Sequence, residues 1–136
     1  MSAPTLNKSE RLHRKKQIEK VFAGGARSFS LFPLRVVYLP MEDLDADAAI
    51  LISVSKRHFK RAVKRNRVKR QIREAYRKNK HLLLDTINGG KCKLALAFIY
   101  LSNELPETDV INNKMKVALQ RVAEQCSSKE EKQANN

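Results

Sequence analysis

Glycine and cysteine are scarce in this chain, and both shortages exclude classes of function. The only four glycines among 136 residues form two pairs, Gly24-Gly25 and Gly89-Gly90. This arrangement permits neither the G-x-G-x-x-G pattern of dinucleotide-binding loops nor the G-x-x-x-x-G-K-[ST] pattern of phosphate-binding loops. The two cysteines, Cys92 and Cys126, are too few for a disulfide scaffold or a thiolate zinc site. We expect both to be buried thiols.

Long apolar segments are also missing. The longest apolar run, residues 94–101, has eight residues, whereas about 20 are needed to cross a bilayer as a helix. The residues that follow Met1 are polar and basic, without the apolar segment of a secretory signal. We therefore expect a cytoplasmic protein that does not contact a membrane.

Acidic residues are few relative to basic ones. The chain has 28 Lys and Arg against 14 Asp and Glu, a formal net charge of +14. Thirteen of the basic residues and one acid, Glu74, fall between Lys56 and Lys80. A solvated helix face is one interpretation, but such faces usually alternate in sign because like charges one turn apart destabilise a helix. We favour a polyanionic partner, with nucleic acid as the first candidate.

The hydrophobic pattern predicts an α+β fold in a single small domain. Apolar residues make up 42% of the chain, enough for a core. Pro33 predicts either an edge strand or two short strands broken at that point. Counted as two strands, the elements give the order α-β-β-β-α-β-α and a mixed four-stranded sheet covered by helices. We expect helices over about 13–23, 60–83 and from Thr108 or Asp109 onwards, strands within 27–39, 49–55 and 93–101, a domain over 1–126, and a disordered polar tail over 127–136.

The predicted long helix separates apolar from basic residues. Val68, Ile72 and Ala75 share one face, which we expect to dock on the sheet. The far side carries Arg-rich positions, and Arg suits bidentate contacts with phosphate or base edges. The far-side stripe consists of Asn66, Arg70, Arg73 and Arg77, with Arg65 and Lys69 on its flank.

The same helix contains a recognisable motif. Arg65-Asn66-Arg67 is followed by Val68-Lys69-Arg70 and Ile72-Arg73-Glu74, and Ser53-Val54-Ser55-Lys56 precedes it. Together with Leu12 and Glu19-Lys20-Val21-Phe22, this pattern resembles the RNR signature of the bacterial ribonuclease P protein component. The resemblance covers about residues 6–125. One departure lies between Lys56 and Arg65, where the family often has a glycine and this chain has none.

The resemblance implies a fold and a division of labour. The fold is a small α+β domain, similar to a ribosomal-protein domain, with a left-handed βαβ crossover. The RNA subunit would hydrolyse precursor tRNA with Mg²⁺, and the protein would bind that RNA and the 5′ leader, broaden substrate use and lower the magnesium requirement. In the protein alone we expect no catalytic or metal-binding residue and no bound cofactor, and we predict no obligate protein partner. The residues expected to bind RNA are Lys56, Arg65, Asn66, Arg67, Lys69, Arg70, Arg73 and Arg77.

The resemblance also implies a cleft for the 5′ leader, between the first helix, the sheet and the crossover. Aromatic residues tend to line that cleft in the family, and the matching positions here are Ile18 and Phe22. Ile18 also fits a core position, whereas Phe22 suits a platform on which single-stranded bases stack. Tyr38 or Val36 could face the same groove, because the sequence does not fix the strand register.

An acidic segment imitates a calcium-binding loop but departs from it. Asp43, Asp45 and Asp47 match the start of the D-x-D-x-D pattern. The glycine of that pattern is replaced by Ala48, and the final glutamate by Val54, so a calcium site is excluded. We interpret the segment as a solvated hairpin turn.

Groups that could activate water are not brought together by the sequence. The three histidines lie on different segments, and no paired carboxylates flank the basic helix as two metal ions would require. A protein nuclease that acts without RNA is therefore disfavoured. A structural RNA-binding protein of the ribosome remains the alternative to a ribonuclease P subunit.

Overall fold

Four strands and four α-helices make up the described part of the chain. A computed structural model describes residue 6, residues 8–87 and residues 93–134, with side chains up to residue 126. The elements in chain order are a 3-10 helix Lys8–Glu10, α1 Lys15–Val21, β1 Arg27–Leu31, β2 Leu34–Pro40, β3 Ala48–Val54, α2 Ala62–Asn79, α3 His81–Ile87, β4 Leu94–Tyr100 and α4 Thr108–Ala134.

The strands form one mixed sheet in the order β1-β2-β4-β3. β1 and β2 are antiparallel, β2 and β4 are antiparallel, and β3 runs parallel to β4. The helices α2 and α3 connect the two parallel strands, so β3, α2, α3 and β4 form a βαβ unit. The predicted α+β class and the mixed four-stranded sheet are confirmed.

Pro33 divides the first extended region into two strands. β1 and β2 pair from Leu31 with Leu34 to Arg27 with Tyr38, on either side of a turn that contains a cis Phe32–Pro33 peptide bond. The carbonyl of Pro33 accepts a hydrogen bond from the Leu101 N–H at 2.8 Å. Of the two alternatives for this region, the pair of short strands is the one observed.

Each face of the sheet is covered by a different set of helices. Leu34, Val36 and Tyr38 of β2 point into a core shared with α2, α3 and α4, and Val37 points into a smaller cluster with α1. β4 lies between β2 and β3 and is covered on both faces, which explains its five successive buried residues, Leu94 to Phe98. The large core and the α1 cluster are therefore separated by the sheet.

The predicted long helix is two helices, and this part of the prediction is wrong. α2 ends at Asn79, and α3 begins at His81. The side chain of buried Asn79 donates to the Ala75 carbonyl at 2.8 Å and to Asn112 Oδ1 at 2.7 Å. An Asn side chain that bonds the carbonyl four residues earlier competes with the backbone ladder of the helix. Residues 81–87 therefore pack as a separate short helix.

The last helix is longer than expected. Ile111, Met115, Ala118, Leu119 and Val122 are fully buried, which confirms the apolar stripe. The backbone of α4 continues to Ala134, through most of the segment expected to be a disordered tail. Lys, Glu, Gln and Ala in this segment are good helix formers. Within the described part of the chain, no helix combines the length and apolar character of a membrane span.

The acidic segment is not a hairpin turn, because β4 lies between β2 and β3. The segment instead crosses the sheet and holds α1. The Gln17 side-chain amide donates to the Asp43 carbonyl at 3.0 Å, and Arg14 pairs with Asp45 at 3.3 Å. Lys20 lies 3.8 Å from the Asp43 carboxylate. These carboxylates balance the basic side chains of α1.

An N-terminal strap, residues 8–12, covers part of the outer edge of β3. Arg11 forms a parallel bridge with Ile50, and the Leu12 N–H donates to the Ile50 carbonyl at 2.7 Å. The Lys80 ammonium donates to both carboxylate oxygens of Glu10, at 2.9 and 3.1 Å. Only 15% and 11% of these two side chains are exposed, so the strap is fastened to the end of α2 by a largely buried ion pair.

We expect Lys80→Met to destabilise the protein by roughly 3 kcal/mol, because it leaves the Glu10 carboxylate buried without its ammonium partner. Urea unfolding followed by circular dichroism measures this change. Arg14→Met is the matched control, since Arg14 and Asp45 are more than half exposed and such a pair contributes about 0–1 kcal/mol. Equal losses in the two variants would contradict the fastening role of the Glu10–Lys80 pair.

Candidate nucleic-acid interface

The segment before α2, residues 55–61, is ordered by its own hydrogen bonds. The Ser55 carbonyl accepts from the N–H groups of His58 and Phe59 at 3.1 and 3.2 Å. The Ser55 hydroxyl accepts from the Arg57 N–H at 3.0 Å. Phe59 is buried and stacks on Tyr100 with ring centroids 6.0 Å apart. The loop therefore reaches α2 without the glycine that the family often has there.

Arg65 is engaged with this loop. Its Nη1 donates to the carbonyls of Phe59 and Lys60, both at 2.8 Å. On a helix of 3.6 residues per turn, Arg65 lies close to the buried face marked by Val68 and Ile72. The Arg65 guanidinium therefore holds the loop that leads into α2, whereas the motif predicts that this side chain contacts RNA.

The remainder of the motif presents a basic surface to solvent. Val68, Ile72 and Ala75 are buried, which confirms the predicted docking face. Within the described residues, five motif side chains on the other faces make no hydrogen bond or ion pair. We call these five the basic ridge. It consists of exposed Asn66, Arg67 and Arg70 and half-buried Lys69 and Arg73.

The C-terminal end of the predicted stripe is partly neutralised. Arg77 donates from Nε and Nη2 to one carboxylate oxygen of Glu74, at 3.0 and 2.7 Å. These hydrogen bonds lower the pKa of Glu74, and the nearby charges of Lys78 and Arg73 act in the same direction. Arg77 is thus paired within the helix, unlike Arg70 and Arg73.

Further cations lie at the N-terminal end of α2. The predicted contact Lys56 is exposed in the loop. Lys60 and Arg61, also in the loop, and Lys64, in the first turn of α2, are exposed as well. These last three were not among the predicted contacts, although the density of positive charge in the sequence included them. The cationic surface therefore extends beyond the motif towards the end of β3.

A cleft lies between α1 and the sheet, on the face opposite α2. It encloses about 240 Å³. Phe22, at the C-terminal end of α1, is 50% exposed and lines this cleft. Gly24 follows with a φ of 103°, a conformation that favours glycine and turns the chain towards β1. The other lining residues are Val21, Ala26, Ser28, Arg35, Val37 and Ile99.

The strand register places different residues in the cleft from those expected. Val36 and Tyr38 point into the core on the opposite face, so the prediction that they could face the groove is wrong. Tyr38 makes an edge contact with Phe29, and burial raises the pKa of its hydroxyl. Side chains alternate along a strand, so Arg35 and Val37 face the cleft instead.

The other predicted leader contact, Ile18, packs into the cluster between α1 and the sheet. It is half-buried and is not among the residues that line the cleft. Arg35 is a residue that the motif comparison did not single out. The sequence does mark Arg35, because it is a lone cation within the otherwise apolar strand β2, LRVVYLP.

The chemical groups of these surfaces suit binding. Among residues 6, 8–87 and 93–126, whose side chains are described, no cluster of three His, Cys, Asp or Glu could hold a metal ion. Cys126 is a buried thiol, and Cys92 lies outside the described residues. Guanidinium, ammonium, amide and phenyl groups can neutralise phosphates, donate hydrogen bonds and stack on bases.

Fold and surface together define a small α+β protein with a cationic helix laid across a four-stranded sheet. The family model for ribonuclease P matches residues 6–123. The chain is 47% identical over 125 residues to the ribonuclease P protein component of Porphyromonas gingivalis strain W83, covering 90% of each chain. It is 38% identical over 80 residues to that of Syntrophus aciditrophicus, covering 59% of this chain and 64% of the relative. The chain belongs to the ribonuclease P protein family.

Solved structures show the same fold. The ribonuclease P protein of Staphylococcus aureus superimposes with a TM-score of 0.67 at 22% identity, covering 85% of this chain and 96% of that one. That of Thermotoga maritima gives a TM-score of 0.65 at 20% identity, covering 82% and 96%. The order of helices and strands is therefore the one found in this family.

We expect Arg65→Lys to lower the free energy of unfolding by about 1.5–3 kcal/mol, because an ammonium on a shorter reach loses the two hydrogen bonds to the loop carbonyls. Arg67→Lys is the matched control, since Arg67 is exposed and makes no such bonds. Thermal and urea unfolding measure both variants. A change for Arg65→Lys within 0.5 kcal/mol of that for Arg67→Lys would contradict the positioning role.

Proposed function

We propose that this chain is the protein subunit of a ribonuclease P ribonucleoprotein, which removes 5′ leaders from precursor tRNA in the cytoplasm. The RNA subunit carries out the hydrolysis. The protein binds that RNA through the basic ridge and the 5′ leader through the α1 cleft, and so broadens substrate use and lowers the magnesium requirement. The observation that carries this proposal is the set of five unpaired ridge side chains within the motif of the family to which the chain belongs.

The geometry of α2 supports the first contact. The buried face of the helix fixes its rotation on the sheet, so the ridge side chains project away from the core. Three of the five are arginines, whose planar forks match phosphate oxygens and the edge of guanine. Contact with a phosphate backbone would relieve the repulsion that remains between these cations, because the nearby acid Glu74 is held by Arg77.

The cleft supports the second contact. Half-exposed Phe22 offers a flat apolar surface, and Arg35 offers a cation within the same cavity. A single-stranded leader presents unstacked bases and phosphates together, so an aromatic ring beside a guanidinium can hold it without reading its sequence. The sheet separates this cleft from the ridge, so one protein can hold two RNA segments at once.

Mg²⁺ would supply positive charge for the hydrolysis, and among the residues whose side chains are described no cluster of three His, Cys, Asp or Glu could hold it. Glu74 is the one acid between Lys56 and Lys80, and its carboxylate is held by Arg77 at 2.7 Å. Hard divalent cations take several oxygen ligands. We therefore assign the metal to RNA phosphates, and to the protein we assign neutralisation of the RNA and alignment of the leader.

Reconstitution tests the proposal. Precursor tRNA should be cleaved at the 5′ end of the mature sequence at low magnesium only when the protein and the cognate RNA subunit are both present. The protein alone should leave the substrate intact. Cleavage by the protein after nuclease treatment would overturn the proposal, and specific binding to ribosomal RNA without an effect on cleavage would favour the ribosomal alternative.

We expect Arg70→Ala to weaken assembly with the RNA subunit by about 1 kcal/mol and to reduce the slope of log affinity against log salt by about one unit. Arg70→Lys should recover only part of the loss, because an ammonium cannot make the bidentate contact. Gel shifts across a salt series measure both effects.

Lys116→Ala is the charge-matched control for that series. Lys116 is exposed on α4 and makes no hydrogen bond or ion pair within the described residues. Arg121 serves less well, since its guanidinium lies 4.9 Å from the centre of the Phe29 ring. If Lys116→Ala weakened assembly as much as Arg70→Ala, bulk charge alone would account for binding, and the ridge would have no special role.

We expect Phe22→Ala to weaken binding of precursor tRNA to the assembled enzyme by about 1–3 kcal/mol, because a stacking platform for the leader is lost. Binding of mature tRNA, which has no leader, should change little. Equilibrium binding of the two substrates, with folding checked by circular dichroism, gives the comparison. An equal loss for both substrates would assign Phe22 a structural role instead.

A further inference from the structure

A second, smaller groove lies at the outer edge of β3, where the N-terminal strap approaches α2. It encloses about 190 Å³, which is below the roughly 300–1,000 Å³ of sites for drug-sized ligands. A single flat ring system is the size of ligand that such a volume suits. Residues from three separate segments contribute to its lining, among them Leu6, Arg11, Ile50, Ile52, Lys69 and Arg73.

Three cations converge on this groove. Lys69 and Arg73 are one turn apart on the flank of α2, and Arg11 comes from the strap. No acidic side chain of the described residues lines the groove. The nearest acid along the strap, Glu10, is held by Lys80 at 2.9 Å. The groove therefore attracts an anion, and guanidinium groups favour phosphate.

The floor of the groove offers an open strand edge. The Ile50 carbonyl points outward, because it accepts the Leu12 N–H at 2.7 Å. Ile52 is two residues further along β3, so its N–H and carbonyl point to the same side. β3 pairs only with β4, and the strap bridges it at Ile50 alone within the described residues. Among the residues that the structure describes, none bonds the outward N–H or carbonyl of Ile52, so a backbone donor and a backbone acceptor are available there.

These backbone groups lie beside apolar surface. Leu6 and Ile52 are half-buried and pack against the main core. A nucleobase combines flat apolar faces with an edge of donors and acceptors, and unpaired bases in RNA are recognised through both. A neighbouring phosphate would reach the three cations.

We propose that this groove binds one unpaired nucleotide of RNA, with its base against Leu6 and the open edge of Ile52 and its phosphates against Arg11, Lys69 and Arg73. The inference rests on the proposed function and adds to it a site for a base that has left its helix. The nucleotide comes from the RNA subunit or from the precursor leader, which share this chemistry.

A protein strand that added to the edge of β3 is a poorer match. Strand addition needs a row of free backbone groups, and the strap already occupies the edge at Ile50. Three cations beside a short open edge favour a nucleotide over a peptide.

Photo-crosslinking in the assembled complex tests the site. p-Benzoylphenylalanine replaces Leu6 in the full-length protein, which is then irradiated with the cognate RNA subunit and precursor tRNA, each labelled in turn. We expect a crosslink to one unpaired nucleotide or its immediate neighbours, and the labelled strand identifies its source. The same probe in place of Lys8, on the strap but outside the groove, should not mark that nucleotide.

A second measurement uses the natural side chains. Arg11→Ala should weaken assembly about fivefold, the expectation for one lost phosphate contact, and should lower the yield of the crosslink from position 6. Arg11→Lys should restore part of both. Lys8→Ala is charge-matched on the same strap and should change assembly less than twofold.

The outcomes separate the inference from the function on which it rests. If the unaltered protein fails to assemble with the RNA subunit, the proposed function is overturned and the inference with it. If it assembles but the probe at position 6 marks no unpaired nucleotide, marks only duplex RNA, marks the same nucleotide as the probe at position 8, or crosslinks to protein, only the nucleotide site is overturned. Equal effects of Arg11→Ala and Lys8→Ala would also overturn it.

Discussion

The packing of α2 on the sheet determines which of its side chains are free. Val68, Ile72 and Tyr76 are completely buried against a sheet face that also holds α4. Burial of each such side chain contributes about 1.5–3 kcal/mol. That packing fixes the rotation of the helix, so the ridge arginines are held in place without a hydrogen bond or ion pair of their own to any described residue. The loop before α2 is held in turn by Phe59 on Tyr100 and by Arg65, so both the start and the rotation of the helix are set from inside the protein.

The sequence predicted well the features that depend on periodicity over several turns. The docking face of α2 and the buried stripe of α4 follow from apolar residues at helical spacing. Features that depend on a single side chain could not be predicted in this way. The Asn79 side-chain amide ends α2 because it bonds the Ala75 carbonyl and so competes with the backbone hydrogen bonds of the helix. Helix propensities do not include this competition. The order of the strands also decided that the acidic segment crosses β4, which local sequence does not reveal. The left-handed sense of the βαβ unit remains a prediction.

The candidate site shows the same limit. The sequence predicts one role, RNA binding, for Arg65, Arg70 and Arg77, and the structure gives them three environments. Arg65 bonds loop carbonyls, Arg77 bonds Glu74, and Arg70 is exposed. The position of Arg65 around the helix, close to the buried face, could be predicted from the helical repeat. The Arg77–Glu74 pair depends on side-chain rotamers, which the sequence does not specify. A shift of one residue along β2 would bring Val36 and Tyr38 into the cleft in place of Arg35 and Val37. The observed pairing with β4 decides which of the two sets faces the cleft.

The unrelieved charge of the ridge has a modest cost for folding. Lys69 and Arg73 are four residues apart, and Arg67, Arg70 and Arg73 follow at intervals of three. Like-charge pairs at these spacings destabilise a helix by about 0.2–0.5 kcal/mol each, so the ridge opposes folding by roughly 1 kcal/mol. Burial of the apolar face of α2 stabilises the protein by several times this amount. The helix therefore holds its cations in place in the free protein. In the proposed contact with RNA, phosphates would neutralise these cations, and the release of their repulsion would add to the free energy of binding.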